Sequence, residues 1–251
     1  MNPTLVSVIA FLCVSGGIVL GLFLHTALPP HHFKDDSRSA VQLGMGVIGT
    51  MTAILLGVLI GSGKGFYDSE NKELTEVSAK ILLLDRALAL YGPETHDIRS
   101  QLRDAVQTFV DATWPQKSGT ASAASETPGR YGGLFEKITS LQPQNEIQRT
   151  LQSHATTITL QLATTRFLMA EQKKNTVPLV LIIAVIFWLT LTFCSFGLLA
   201  PRTGLVVVTF LLCALSVSAA LFLLLEMYNP YTGVLRLSSE PLRLVLAHLG
   251  Q

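Results

Sequence analysis

The sequence predicts an all-α integral membrane protein with four transmembrane helices and a cytoplasmic helical bundle inserted between helices two and three. Three observations predict this fold class. Mean hydropathy is +0.46, only 14% of the 251 residues are charged, and the apolar residues are concentrated in four separate blocks. Soluble domains usually carry about a quarter charged residues. The blocks therefore indicate segments that reside in lipid and not one large aqueous core.

Each apolar block has about the 20 residues that an α-helix needs to cross the hydrocarbon core. The four blocks cover residues 4–24, 41–62, 177–200 and 205–225. None of them contains Asp, Glu, Lys or Arg. Asp36 and Ser37 precede the second block as capping residues, and Asn229-Pro230 follows the fourth, as expected for helix ends. We therefore expect four spans, with the lipid bilayer as the principal environment.

Four domains follow from these limits. They are the first transmembrane helix pair (1–65), a cytoplasmic helical segment (66–175), the second transmembrane helix pair (176–228) and a cytoplasmic C-terminal tail helix (229–251). Lys34, Arg38 and Arg202 lie on the side opposite the termini, which leaves 15 of the 18 basic residues on the side of the termini. The positive-inside rule places that side in the cytoplasm.

The polar segment after span two keeps a helical period of apolar residues, so we expect span two to continue beyond the membrane. Gly92-Pro93 should break this helix, and a second amphipathic helix should end near Trp114. Residues 117–133 are rich in Ser, Ala, Thr and Gly, which predicts a flexible linker. A long helix should then run from residue 145 to 174.

The sequence does not predict an enzyme, because it contains no phosphate-binding glycine loop, HExxH motif, nucleophile elbow or coupled Cys and His. We expect no cofactor. Net charge is +1, which gives no basis for nucleic-acid binding. His31, His32, Asp35 and Asp36 could in principle hold a divalent ion. Helix capping in the headgroup zone explains them better, so no metal site is predicted.

Span two carries a stripe of small residues at every fourth position, which allows close helix approach. The stripe consists of Gly49, Ala53, Gly57, Gly61 and Gly65. We favour packing within the subunit, against Gly17 and Gly21 of span one. The other interpretation places span two around the central axis of an oligomer.

The pore-lining candidates are Thr50, Thr52 and Gly57, since hydroxyl groups near mid-span can line a water path or bond back to the helix. Glu226 is a pore-entrance candidate, although it could simply reach the membrane interface. The cores of the spans hold no ionisable residue. This pattern disfavours a proton-driven pump or a secondary transporter.

Several motifs resemble a bacterial family of membrane proteins described as bestrophin-like. They are His32-Phe33-Lys34-Asp35-Asp36-Ser37, Leu43-Gly44-Met45-Gly46, Leu83-Leu84-Asp85-Arg86-Ala87-Leu88, Tyr91-Gly92-Pro93-Glu94, Phe187-Trp188-Leu189-Thr190, Phe196-Gly197-Leu198, Ala200-Pro201-Arg202, Ser216-Val217-Ser218 and Leu237-Ser238-Ser239-Glu240-Pro241-Leu242-Arg243. Together they extend over nearly the whole chain.

This resemblance implies an oligomeric ion channel of the bacterial inner membrane, because bestrophins are pentameric anion channels with four spans and cytoplasmic helices. It also implies a homo-oligomer, a pentamer by analogy, and small inorganic ions as partners. The sequence has no aromatic neck in residues 41–62 and no acidic cluster in the tail. Calcium gating and anion selectivity are therefore not implied. The alternative is a non-conducting scaffold or signalling protein that recruits a partner through its cytoplasmic helices.

Overall fold

The computed structural model describes residues 2–27, 35–114, 129–172, 179–201 and 203–250, and the regular secondary structure in these ranges is entirely helical. In chain order the α-helices are α1 Pro3–Ala27, α2 Asp35–Tyr91, α3 His96–Thr113, α4 Gly129–Thr139, α5 Glu146–Gln172, α6 Leu179–Leu199, α7 Gly204–Met227 and α8 Glu240–His248.

The chain forms two compact units. The apolar unit comprises Met1–Tyr67 and Thr176–Leu235, and the polar unit comprises Asp68–Asn175 and Arg236–Gln251. The boundary between the two units falls within α2, and the tail helix α8 belongs to the same unit as α3, α4 and α5. The predicted boundaries at residues 65 and 175 lie close to this division, whereas the predicted tail boundary at 229 precedes it.

Four of the described helices, α1, α2, α6 and α7, are long and apolar enough to cross a membrane. Three of them agree with the predicted spans to within one helical turn. The fourth, α2, is 57 residues long and continues beyond the predicted span, because no proline occurs between residues 35 and 91. It begins at Asp35, so Asp36 and Ser37 belong to its first turn and do not precede it.

Within the apolar unit, α1 packs closely on α6 and also contacts α7. A Cβ atom on Gly17 would lie 2.7 Å from the Thr190 carbonyl oxygen, and one on Gly197 would lie 2.6 Å from the Ile18 carbonyl oxygen. A Cβ atom on Gly21 would collide with the Cys194 carbonyl oxygen. These glycines therefore let two backbones touch. The prediction that Gly17 and Gly21 face the small-residue stripe of α2 is wrong, since their partner is α6.

In the polar unit, α2 ends at Tyr91 and the chain turns sharply into α3. Gly92 has φ of 141°, a value that favours glycine, and Pro93–Thr95 form a 3₁₀ turn. The Thr95 hydroxyl is fully buried and donates to the Leu88 carbonyl oxygen at 2.6 Å. The predicted break at Gly92-Pro93 is confirmed.

An ion pair joins the two helices on either side of this turn. Arg99 Nε and Nη2 donate to the two carboxylate oxygens of Asp85 at 2.8 and 2.9 Å. The side chain of Asp85 is 5% exposed and that of Arg99 is 17% exposed, and the hydrogen bond that Arg99 donates to Asp85 raises the pKa of Arg99. Asp85 belongs to the motif Leu83-Leu84-Asp85-Arg86-Ala87-Leu88, so this motif contributes the ion pair that joins α2 to α3.

The C-terminal tail packs on the polar unit through α3. The indole Nε1 of Trp114 donates to the Leu237 carbonyl oxygen at 2.8 Å, and Leu242 is completely buried. Helix α8 thus contacts α3 within the polar unit. At the N-terminus of α8 the Ser238 hydroxyl accepts a hydrogen bond from the Glu240 amide, and Ser239 makes no side-chain cap bond.

The linker predicted for residues 117–133 is too long at its C-terminal end. Residues 115–128 lie outside the described residues, while α4 already begins at Gly129. Leu134 and Ile138 are buried where α4 contacts α3 and α5. Their burial offsets the poor helix propensity of the glycines at the start of α4.

Candidate functional site

The part of α2 that lies in the apolar unit packs against the unit along one face. Leu59 belongs to the buried core that it shares with α1, α6 and α7. Farther along this face, the Tyr228 ring stacks on Phe66 with 5.5 Å between ring centroids, and the Tyr228 hydroxyl donates to Ser62 Oγ at 3.1 Å. Gly63 lies against Tyr228 as well. This face therefore holds α2 to the end of α7.

The opposite face of α2 carries the small-residue stripe and is open. Among the described residues, a Cβ atom on Gly49, Gly57, Gly61 or Gly65 would meet nothing within 4 Å outside the helix's own backbone. Ala53 is exposed as well. Buried residues make up 11% of the most apolar part of α2, against 17% to 33% in the other three membrane-type helices. We call the surface that these five residues form the open face of α2.

Two of the three predicted pore-lining residues lie on this open side. Thr50 and Gly57 are both exposed, and because they are seven residues apart they share one face of the helix. The Thr50 hydroxyl donates to the Gly46 carbonyl oxygen at 2.8 Å, which leaves the lone pairs of its oxygen free to accept. Thr50 and Gly57 thus belong to the open face by position.

Thr52 lies elsewhere. It is two residues beyond Thr50, which turns its side chain by about 200° around the helix axis. Only 3% of Thr52 is exposed, and its hydroxyl donates to the Ile48 carbonyl oxygen at 2.8 Å. Thr52 is therefore on the packed side of α2, and the structure does not bring it together with Thr50 and Gly57.

Glu226 is buried inside its own subunit at the end of α7. It is 4% exposed, and its carboxylate accepts the backbone amide of Val234 at 2.6 Å. Gly233, with φ of 84°, lies directly against this carboxylate. A side chain that closes the loop after α7 in this way is not presented to an entrance. The Val234 amide provides a hydrogen bond that solvent would otherwise provide to this carboxylate. We therefore do not include Glu226 in the entrance of the pore proposed below.

The four residues considered for a divalent ion fall outside what can be described. His31 and His32 lie outside the described residues, and the side chains of Asp35 and Asp36 do as well. Within the described part of the chain, no group of three or more His, Cys, Asp or Glu side chains could hold a metal ion.

Comparison with known proteins gives one family. The family model of the bestrophin-like domain matches residues 12–242. Neither the curated proteins nor the solved structures contain a match to the chain. The matched region includes all of α2 through α7 and most of α1, so most of each unit and the whole open face of α2 fall inside it. On this match over most of its length, the chain belongs to the bestrophin-like family.

Proposed function

We propose that the protein is an oligomeric ion channel of the bacterial inner membrane in which the open face of α2 lines the pore. One observation carries the proposal: in the part of the chain that the structure describes, nothing lies within 4 Å of a Cβ atom built on the glycines of the open face of α2, although the opposite face is packed. Span two over residues 41–63 is the predicted pore segment, and Thr50 and Gly57 are the residues that we assign to its lining.

A face of this composition is poorly suited to lipid. Glycine and alanine leave the helix backbone uncovered, and Thr50 adds a hydroxyl group near mid-span. Small residues allow close approach of another helix, whereas hydroxyl oxygens can interact with water and ions. Both kinds of contact are available if α2 packs against a neighbouring copy of α2 on one side and borders water on the other.

The proposed assembly is a closed ring of identical subunits, a pentamer by family analogy. We place both termini and the polar unit in the cytoplasm, because most lysine and arginine residues outside the spans lie on that side. In this arrangement the polar unit would form contacts between subunits and a vestibule below the membrane. We propose no enzymatic activity.

The direct test is conductance across planar bilayers that contain the purified protein. Thr50→Leu and Gly57→Leu should each reduce unitary conductance several-fold. At Thr50 the leucine replaces a hydroxyl group with an apolar side chain, and at Gly57 it fills open space beside the helix. Thr209→Leu and Gly16→Leu are matched controls. Thr209 is exposed on α7 with the same type of backward hydroxyl bond, 2.9 Å to Leu205, and Gly16 is an open glycine on α1.

Unchanged conductance in Thr50→Leu and Gly57→Leu, in channels that otherwise conduct, would remove α2 from the pore. Absence of current in the native oligomer over a range of ions, pH and voltage would contradict the channel itself. Size-exclusion profiles of all four variants establish that each retains the native oligomeric state.

Cysteine cross-linking tests the position of the open face independently of current. In a protein whose native Cys13, Cys194 and Cys213 are replaced by alanine, Gly57→Cys should form cross-linked dimers with a short bifunctional thiol reagent. Gly16→Cys should form far fewer, since we place α1 away from the axis. Equal cross-linking at the two positions in detergent and in liposomes would contradict a ring centred on α2.

A scaffold function remains the second candidate, and one observation favours it. The polar unit exposes several large apolar side chains, which are a common mark of a protein-binding surface. They are Leu83, Leu90, Ile147, Leu160, Phe167 and Leu168. If the native oligomer is well folded but carries no current, these residues become the first place to seek a partner.

A further inference from the structure

Helix α5 carries an exposed surface of apolar and hydroxyl side chains that we call the α5 face. It consists of Thr157, Leu160, Thr164, Phe167 and Leu168, which are all exposed. At about 100° per residue, these positions fall within about 100° around the helix axis. Residues 150–165 contain no Asp, Glu, Lys or Arg, whereas the 18 residues of α3 contain five. Because a helix surface that stays in water normally carries charged side chains, this composition indicates a surface that another molecule covers.

The hydroxyl groups of the α5 face already donate within their own helix. The Thr157 hydroxyl donates to the Ser153 carbonyl oxygen and the Thr164 hydroxyl to the Leu160 carbonyl oxygen, both at 2.9 Å. Hydroxyls that bond back to the helix keep this hydrogen bond when a partner covers them. The α5 face is therefore suited to a dry contact with protein.

A second exposed surface lies on the part of α2 that belongs to the polar unit, and we call it the α2 face. It consists of Ala79, Leu83, Arg86 and Leu90, which are all exposed and fall within about 60° around the helix axis. Two of these side chains are leucines, and arginine is enriched in protein interfaces. The α2 face therefore has the composition of a protein contact as well.

The two faces point away from each other across the polar unit. A small cavity inside this unit is lined by Leu74, Val77 and Ile81 of α2 and by Arg166 and Met169 of α5. On each helix, the cavity-lining positions lie about 180° around the axis from the exposed face. Each subunit thus presents two different surfaces on different sides.

The two faces also match in height along the polar unit. Helices α2 and α5 are antiparallel, because they share this cavity in one region and the Gln148 side-chain amide donates to the Tyr91 carbonyl oxygen in the other. Leu83 comes six residues after the cavity-lining Val77. Leu160 comes six residues before the cavity-lining Arg166. Both leucines therefore lie about 9 Å from the cavity in the same direction.

A ring of more than two identical subunits needs a contact in which one surface of a subunit meets a different surface of its neighbour. Rotation about an axis along α2 leaves every residue at its own height. We propose that the α5 face of each subunit packs against the α2 face of the next subunit, with Leu160 on Leu83 and Phe167 over the small Ala79. This inference rests on the proposed function, because it takes the ring axis along α2.

The first test is cross-linking of the full chain with a short bifunctional thiol reagent, in detergent and in liposomes. In the protein without native cysteines, Leu83→Cys combined with Leu160→Cys should give a ladder of cross-linked chains, because every subunit then carries both halves of the contact. Each single variant should give no cross-linked dimers. Leu83→Cys combined with Ile147→Cys is the control, since Ile147 is exposed on α5 about 20 Å along the helix from Leu160.

A double variant that cross-links no more than the control would overturn the proposal, and it is the result expected if the α5 face binds a different protein. Dimers from either single variant at the yield of the double variant would overturn it as well, since they indicate a two-fold contact. Currents without a ladder refute this contact and leave the channel. A ladder without currents refutes the channel and leaves the contact.

An exchange of side-chain size tests the packing itself. Ala79→Phe should raise the protein concentration at which the oligomer dissociates by about tenfold, because two large rings then compete for one space. Addition of Phe167→Ala to this variant should restore association. Ala112→Phe, at an exposed position of α3, is the matched control. Light scattering over a dilution series in detergent gives the comparison, and equal dissociation of the Ala79→Phe and Ala112→Phe variants would contradict the contact.

Discussion

Replacement of Gly21 by valine is expected to lower the free energy of unfolding of the apolar unit by about 3 kcal/mol, the upper part of the usual range for overpacking. The added Cβ would collide with the Cys194 carbonyl oxygen and approach the Leu198 amide nitrogen to 2.8 Å. Both atoms belong to the backbone of α6. A helix backbone cannot rotate away as a side chain can, so α1 and α6 must separate.

Gly16→Val is the matched control, since Gly16 lies five residues earlier on α1 and a Cβ atom there meets nothing within 4 Å. Both variants add the same β-branched residue to the same helix, so helix propensity cancels in the comparison. The measurement is the fraction of folded protein after heating in mild detergent, followed by size-exclusion chromatography. Similar midpoints for Gly16→Val and Gly21→Val would disprove the close α1–α6 contact.

Replacement of Asp85 by alanine should cost about 3–5 kcal/mol in the polar unit, as expected when one partner of a buried ion pair is removed. Arg99 would keep its charge and lose both carboxylate oxygens, 2.8 and 2.9 Å away. The pair Asp97–Lys137 offers a control with a similar distance of 2.7 Å. Its side chains are 69% and 43% exposed, so solvent screens this pair and Asp97→Ala should change stability much less than Asp85→Ala.

The double variant Asp85→Ala with Arg99→Met distinguishes the loss of the charge–charge interaction from simple loss of packing. Because methionine removes the buried charge, the double variant should be more stable than Asp85→Ala alone. Urea unfolding of the full chain in detergent, followed by tryptophan fluorescence, gives the comparison, with Trp114 reporting on the polar unit. A double variant that is less stable than Asp85→Ala would show that the arginine contributes without its partner.

Much of the secondary structure could be predicted from local patterns. Four uncharged runs of about 20 residues specify membrane-type helices because lipid offers the backbone no hydrogen-bond partners. The break at Gly92-Pro93 could also be predicted, since proline lacks the amide proton that a helix interior needs. The start of α4 could not, because Leu134 and Ile138 stabilise it only through contacts with α3 and α5.

The candidate site was only partly predictable, and α2 explains why. The sequence by itself determined that α2 carries a stripe of small residues, that Thr50 shares a face with Gly57, and that the chain has the motifs of its family. Only the tertiary structure decided which side of α2 is packed. Thr52 and Leu59 lie on that side. Gly17 and Gly21 pack against α6, and the Glu226 carboxylate accepts a hydrogen bond from the loop after α7. A regular spacing of small residues predicts that another helix can come close to this face. Which helix does so depends on how the surfaces of the whole chain pack together.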